Sequence, residues 1–245
     1  VPGAYPHGRR WERGVPRSSA DSEAHLKWTE QAARWLAKRT DIRLMTFEQF
    51  HREHAEPAGQ WLTQAQVRAV ARALCKRFDS VEIGGISLSA AEALFVLAQY
   101  GEFLLREQRL PGHLQVRRTL GHVESVLIPE RELTFKRQAY LLAARQVHEC
   151  VLTHGRLPSA IRAHYVECGP GEVLVALARA FSGRELPEEV AVQPTRGVPD
   201  CADIPFFANA TAASQSARPG YRPERIHEQG LLQSWSYRPA RSALA

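Results

Sequence analysis

Methionine occurs once in this 245-residue sequence, at Met45, and cysteine only four times. Cys75, Cys150, Cys168 and Cys201 lie far apart with no Cys-x-x-Cys pair, which excludes a zinc ribbon and a densely stapled mini-domain. Cys75 and Cys150 fall in helical apolar patterns and fit buried free thiols; two disulfides are the alternative in a secreted protein. No apolar run approaches the roughly 18–20 residues of a spanning helix, so no transmembrane segment is expected. No basic-then-apolar secretory signal opens the chain. The first residue is Val1, and we expect a truncated or processed chain whose compartment stays open. Also missing are Gly-x-Ser-x-Gly, His-Glu-x-x-His, a Walker Lys-Ser/Thr and any spaced Cys/His metal pattern. No complete catalytic centre is expected in this chain.

The net charge is +6, with arginine the dominant cation. The basic residues are scattered: the longest runs are pairs such as Arg9-Arg10 and Arg117-Arg118, and acidic residues interrupt the rest. A nucleic-acid binder concentrates its cations on one face with aromatic platforms, and neither is encoded here. Nucleic acid is therefore not an expected partner.

What is present is an apolar fraction of 44%, enough for a core, arranged in helical stripes. Residues 1–20, rich in Gly, Pro and Arg, read as irregular. Leu26, Ala32, Ala33, Trp35 and Leu36 predict a helix over residues 22–39. Residues 41–45 alternate like a short strand, and Thr46 with Gln49 forms a capping-box pattern for another helix. Residues 55–60 form a boundary. A duplication follows, over residues 62–116 and 133–192. Each copy opens with Leu-Thr (Leu62-Thr63, Leu133-Thr134). Each starts a second helix with Glu-x-Leu-x-x-Leu-Ala, at Glu92 and at Glu172. Each leaves that helix through Leu-Pro, at Leu110-Pro111 and Leu186-Pro187, into alternating apolar residues. Proline cannot donate an amide inside a helix and biases the preceding residue toward extended geometry, which explains the exit. Thr63–Gln66 and Ser89–Glu92 are further capping boxes. Residues 193–220 read as a linker, residues 223–230 as a helical turn started by Pro223, and Trp235 and Tyr237 as an apolar tail that docks back.

The expected fold class is therefore mainly α: duplicated helix-pair units with short extended segments, preceded by the last helix-strand-helix of an α/β domain. The expected domains are residues 1–58 (terminal elements of that α/β domain), residues 59–195 (duplicated helical module) and residues 196–245 (linker and docking tail).

Few residues offer chemistry. His51-x-x-His54 puts two imidazoles on one helix face, a weak metal candidate; a zinc site needs further ligands that no spacing supplies, and an exposed polar helix end is preferred. His148 and His154 flank a helix C-terminus, where a histidine favours the dipole. Gly169-Pro170-Gly171 lacks the phosphate-loop order and reads as a turn into a helix. Asn209-Ala-Thr211 fits the glycosylation triplet, which matters only in a secretory setting. No catalytic, cofactor-binding or metal residue is assigned.

Two segments resemble known families. Trp35, Ile42-Arg43-Leu44-Met45-Thr46 and Phe47-Glu48-Gln49-Phe50 look like the end of a polysaccharide deacetylase (carbohydrate esterase) domain. The duplicated part, with its Leu-Pro exits and Glu-x-Leu-x-x-Leu-Ala helices, is similar to pseudomurein-binding repeats of prokaryotic cell-surface proteins. The resemblance implies an upstream catalytic domain holding a divalent metal through an Asp and two His, none of whose motifs stands in this sequence. It implies that this region is a glycan- or cell-wall-associated accessory of such an enzyme, in the envelope or the cytoplasm of a prokaryote. Its partners would be the catalytic domain or a polysaccharide. The alternative is a non-enzymatic helical scaffold for protein interactions.

Overall fold

The computed structural model describes residues 4–7, 10–13, 18–40, 46, 49, 60–107, 112–124, 126–200 and 230–238. The chain divides into two compact units, Val1–Pro57 and Ala58–Ala245.

In the first unit, β1 (Ala4–His7) and β2 (Arg10–Arg13) pair antiparallel, with Tyr5 opposite Glu12. This corrects the irregular reading of residues 1–20: backbone pairing needs no apolar alternation, so the composition gave no sign of it. α1 (Ser19–Ala37) starts at Ser18, whose hydroxyl accepts from the Asp21 amide at 3.0 Å. The Thr46–Gln49 capping box is formed, with the Thr46 amide donating to Gln49 Oε1 at 2.8 Å and the Gln49 amide to Thr46 Oγ1 at 3.1 Å. The strand expected over residues 41–45 lies outside the described residues.

The second unit contains two runs with one element order. The first is β3 (Trp61–Thr63), α2 (Gln64–Lys76), the hairpin β4 (Val81–Ile83) and β5 (Ile86–Leu88), α3 (Ala90–Glu107) and β6 (His113–Gln115). The second is β7 (Leu133–Lys136), α4 (Arg137–His154), the hairpin β8 (Ile161–Ala163) and β9 (Val166–Cys168), α5 (Pro170–Phe181) and β10 (Glu189–Val192). Within each run the first strand pairs antiparallel with the last: Leu62 faces Leu114, and Phe135 faces Val190. All four of these residues are buried.

The mainly α expectation is therefore wrong. The fold is mixed α/β, with the described strands forming small two-stranded antiparallel sheets. The extended pieces are paired strands rather than returns between helices. Strands of three or four residues are too short for alternation to register, and the β8–β9 hairpin turns through His164 at φ 58° with no glycine to mark it. The β4–β5 hairpin was better signposted: Gly84 and Gly85, at φ 55° and 77°, supply the left-handed pair a two-residue hairpin needs.

Each helix packs chiefly on a helix of the other run, α3 on α4 and α2 on α5, and only sparsely on its own partner. One interior results, containing Val67, Val70 and Leu74 of α2, Leu94 and Leu97 of α3, Val147 of α4, and Leu174 and Leu177 of α5. Alanines 91, 93, 98, 139, 143, 144, 176, 178 and 180 are all buried in it, and their small side chains let the helix axes approach. One close approach is at Gly101 of α3. A Cβ there would lie 2.7 Å from the Ala144 Cβ and 3.3 Å from the Phe181 ring.

The register of the copies also differs from the sequence reading. The residue before α2 is Thr63 and the residue before α4 is Lys136, so Leu62 corresponds to Phe135. The matched Leu-Thr pairs are two residues out of step. Among the described residues no helix is long and apolar enough to cross a membrane.

Gly101→Ala tests the helix approach. Alanine gains about 1 kcal/mol of intrinsic helix propensity. Overpacking against Ala144 costs about 1–3 kcal/mol. The expected result is a net loss of stability in urea unfolding; a more stable variant would contradict the packing.

Candidate functional site

The second helix of each run begins at a buried carboxylate. Glu172 is 0% and Glu92 2% exposed. Both sit in the third position of their helix. Oε2 of Glu92 accepts from the Ser89 amide at 2.9 Å, and Oε2 of Glu172 from the Gly169 amide at 3.1 Å. This closes the helix start as a capping box does and sets a negative charge against the positive end of the helix dipole. The second oxygen of each glutamate reaches outward. Glu172 Oε1 accepts from the Thr195 amide at 2.8 Å and the Thr195 hydroxyl at 2.6 Å. Glu92 Oε1 is ion-paired with Arg238. The Gly169-Pro170-Gly171 turn is thus closed by the protein's own carboxylate, where a phosphate loop would place its ligand. Gly169 and Gly171 are required there because a Cβ would meet Leu127 O at 2.9 Å and Thr195 Oγ1 at 2.4 Å.

Residues 230–238 pack onto this same region. Trp235 is fully buried, and its indole N–H donates to Gly197 O at 3.0 Å. The ring meets Phe78 edge-on at 5.2 Å and His122 at 5.6 Å. Gly121 leaves room for it: a Cβ would lie 2.7 Å from the Trp235 Cβ, and its amide donates to Ser236 Oγ at 2.8 Å. Asp200 closes the far side through Phe78, accepting from the Phe78 amide at 3.1 Å and donating its own amide to Phe78 O at 2.7 Å.

A polar group crosses the α3–α4 interface. Glu102, 4% exposed, is ion-paired with Arg106 and, at 3.1 Å, with Arg145 of the other run. His148 stacks on Phe95 at 5.6 Å, and burial lowers its pKa below the ordinary histidine value, with the Glu102 charge opposing. His148 is thus an interface residue rather than a helix-end cap. His154 is exposed in the last turn of α4, which ends at Gly155 in the left-handed region at φ 68°.

Among the described residues, one opening is a cleft of about 490 Å³. Leu105 and Leu141 give it apolar walls, and Lys136, Arg137, Gln138 and Glu188 line its polar side. Arg137 is fixed, donating to Leu186 O at 2.6 Å and pairing with Glu188 at 2.9 Å. Among the described residues, the Lys136 ammonium and the Gln138 amide have no protein partner. Tyr165, 63% exposed, belongs to the β8–β9 turn, and its hydroxyl accepts from the Lys136 amide at 3.3 Å. Its ring is thereby anchored beside the residue that edges the cleft. A second, narrower cavity of about 170 Å³ lies across the Leu186 loop, between Arg68, Tyr100, Phe181 and Arg184. Burial raises the Tyr100 hydroxyl pKa, and the Arg68 guanidinium opposes that rise.

The weak metal candidates His51 and His54 lie outside the described residues, as do Leu110, Pro111, Cys201, Asn209 and Pro223. Among the described residues no three His, Cys, Asp or Glu side chains gather as a metal cluster. Cys75, Cys150 and Cys168 are free thiols. Cys75 is exposed, which corrects its expected burial; it lies on the outer side of the α2 stripe. Burial and the nearby carboxylates of Glu172 and Glu167 push the Cys168 thiol up to about 12.

The sequence reading missed the partners of the two glutamates, although a signal was present. Thr119-Leu-Gly121 and Thr195-Arg-Gly197 recur after the two final strands, and both glycines stand against the tail residue Trp235. No family model, no curated protein and no solved structure matches this chain.

Two predictions follow from these groups. Glu172→Ala leaves the Gly169 and Thr195 donors unsatisfied and should cost about 3 kcal/mol in chemical denaturation; Glu172→Gln, which keeps one acceptor, should cost less. With a thiol-alkylating reagent at pH 8, Cys75 should label in the folded protein while Cys168 stays unmodified until denaturant is added, as peptide mass mapping would report.

Proposed function

We propose that this chain is a non-catalytic accessory region of a polysaccharide deacetylase-like protein, and that its second unit holds a glycan. The cleft edged by Lys136 carries the reading. Glycans present apolar ring faces and a rim of hydroxyls. An anchored exposed ring at Tyr165, apolar walls at Leu105 and Leu141, and unpartnered donors at Lys136 and Gln138 complement both features. The buried carboxylates Glu92, Glu102 and Glu172 are each committed to internal bonds, so they serve the fold and are not poised as acid or base. On this reading the resemblance over residues 22–54 would give the enzyme class of the neighbouring domain, and that of the two Glu-x-Leu-x-x-Leu-Ala helices the cell-wall association.

The test is a titration of the full chain with N-acetylglucosamine oligomers, followed by amide and tyrosine NMR signals. Shifts should cluster at residues 136–141, 165 and 188. Tyr165→Ala should weaken binding about tenfold, equivalent to about 1.4 kcal/mol. Unchanged spectra at millimolar oligosaccharide would remove the reading.

A second reading, a protein-interaction scaffold, is favoured by α1. Trp28 and Trp35 are 65% and 55% exposed and lie seven residues apart, on one helix face. Protein binding that survives Tyr165→Ala and is lost in a Trp28→Ser/Trp35→Ser variant would select it.

A further inference from the structure

We propose that residues 230–238 form an acid-released strap, held while His122 is neutral and freed when that imidazole gains a proton. The argument starts from the ring's surroundings. His122 is 3% exposed, and its Nδ1 lies 2.9 Å from Glu124 O, a position that requires the proton on Nδ1. The other nitrogen, Nε2, is then a bare acceptor, and it is buried with no partner. The neutral ring tolerates this, because an unpaired acceptor in an apolar socket costs far less than a charge there. Protonation would place an N–H donor and a full charge in a socket walled by Trp235, which meets the ring edge-on at 5.6 Å.

Of the charged groups on the surrounding elements, Asp79, Asp200 and Glu92 are engaged elsewhere, and Glu124 is exposed. Glu124 offers His122 its backbone carbonyl. Asp79 pairs with Arg77 at 2.7 Å. Asp200 accepts from the Phe78 amide at 3.1 Å. Glu92 pairs with Arg238 of the strap itself. None of them bonds Nε2. Desolvation accordingly lowers the His122 pKa below 6.5, with the Glu124 carbonyl opposing. A lowered pKa means the released state binds more protons than the docked one. The strap is therefore fully held above pH 6.5, and its hold weakens as pH falls through the depressed value.

The bonds that hold the strap include the Trp235 indole bond to Gly197, the Gly121 bond to Ser236 and the Arg238 pair with Glu92. Its departure exposes the Phe78 ring, the His122 imidazole and the Glu92 carboxylate together. The α2–α5 and α3–α4 contacts are made between helices, without strap residues.

The experiment follows indole N–H signals of the full 15N-labelled chain from pH 8 to pH 5, with Trp235→Phe identifying the Trp235 signal. The expected result is loss of the docked Trp235 signal with a midpoint below 6.5, coincident with titration of the His122 ring, while Val147 and Leu97 methyl signals stay in place. In His122→Gln, which keeps a donor for Glu124 O and does not titrate, the docked signal should persist to pH 5. If that variant does not fold at pH 8, His122→Phe replaces it with the same expectation. A Trp235 signal that stays docked while His122 titrates would overturn the proposal. So would release at an unchanged midpoint in the non-titrating variant, release abolished by Glu92→Gln instead, or simultaneous loss of the methyl signals.

Discussion

The exchange of helices between the two runs is the constraint on which the second unit rests. α2 lies on α5 and α3 lies on α4, so the stripe each helix carries is covered by the other run. A stripe with Val67, Val70 and Leu74 on it cannot be buried by the few contacts α2 makes with its own α3. Burying each such side chain contributes on the order of 1.5–3 kcal/mol. Among the helices, most of that burial arises between the runs. The strands follow the same logic on a smaller scale: β3–β6 and β7–β10 tie the ends of each run, and the helices then lock the two runs into one interior.

The buried polar groups fit around this arrangement. Glu102 bonds Arg145 across the α3–α4 interface, so a buried charge there links the two runs. Glu92 and Glu172 stand at the start of the second helices, where an internal carboxylate satisfies amides and favours the dipole at once. Their outer oxygens then fasten whatever segment passes by, Thr195 in one case and Arg238 in the other. The tail is thus held by the same device that shapes the helix, and Trp235 fills the space that Gly121 and Gly197 leave.

Local features were the legible part of this sequence. The Thr63–Gln66 and Ser89–Glu92 boxes formed because their bonds span three residues and need no tertiary help. Helical stripes were equally plain, since periodicity reports that a face is buried. It does not report against what, and so the exchange of partners was invisible. The three-residue strands fell below the length at which alternation is informative, and this produced the mainly α misreading. The Leu-Thr match misled because composition repeated two residues away from where structure does: the buried residue before α4 is Phe135, not Leu133. The cleft was illegible for a related reason. Leu105, Lys136 and Glu188 come from separate parts of the chain, and Tyr165 reaches the Lys136 amide only through a hairpin that was not foreseen.

The crossed packing also bears on where such a body comes from. Two chains of one run's length, each laying its helices on the other's, would form a closed twofold pair with the same interior. The single chain has the topology of that pair with the end of one member fused to the start of the next through residues 116–132. Within one chain the two runs are free to differ in sequence. The contrast between Gly101 of α3 and Phe181 at the corresponding place on α5 shows what that freedom permits: a large ring on one side now occupies the hollow left by its missing counterpart on the other.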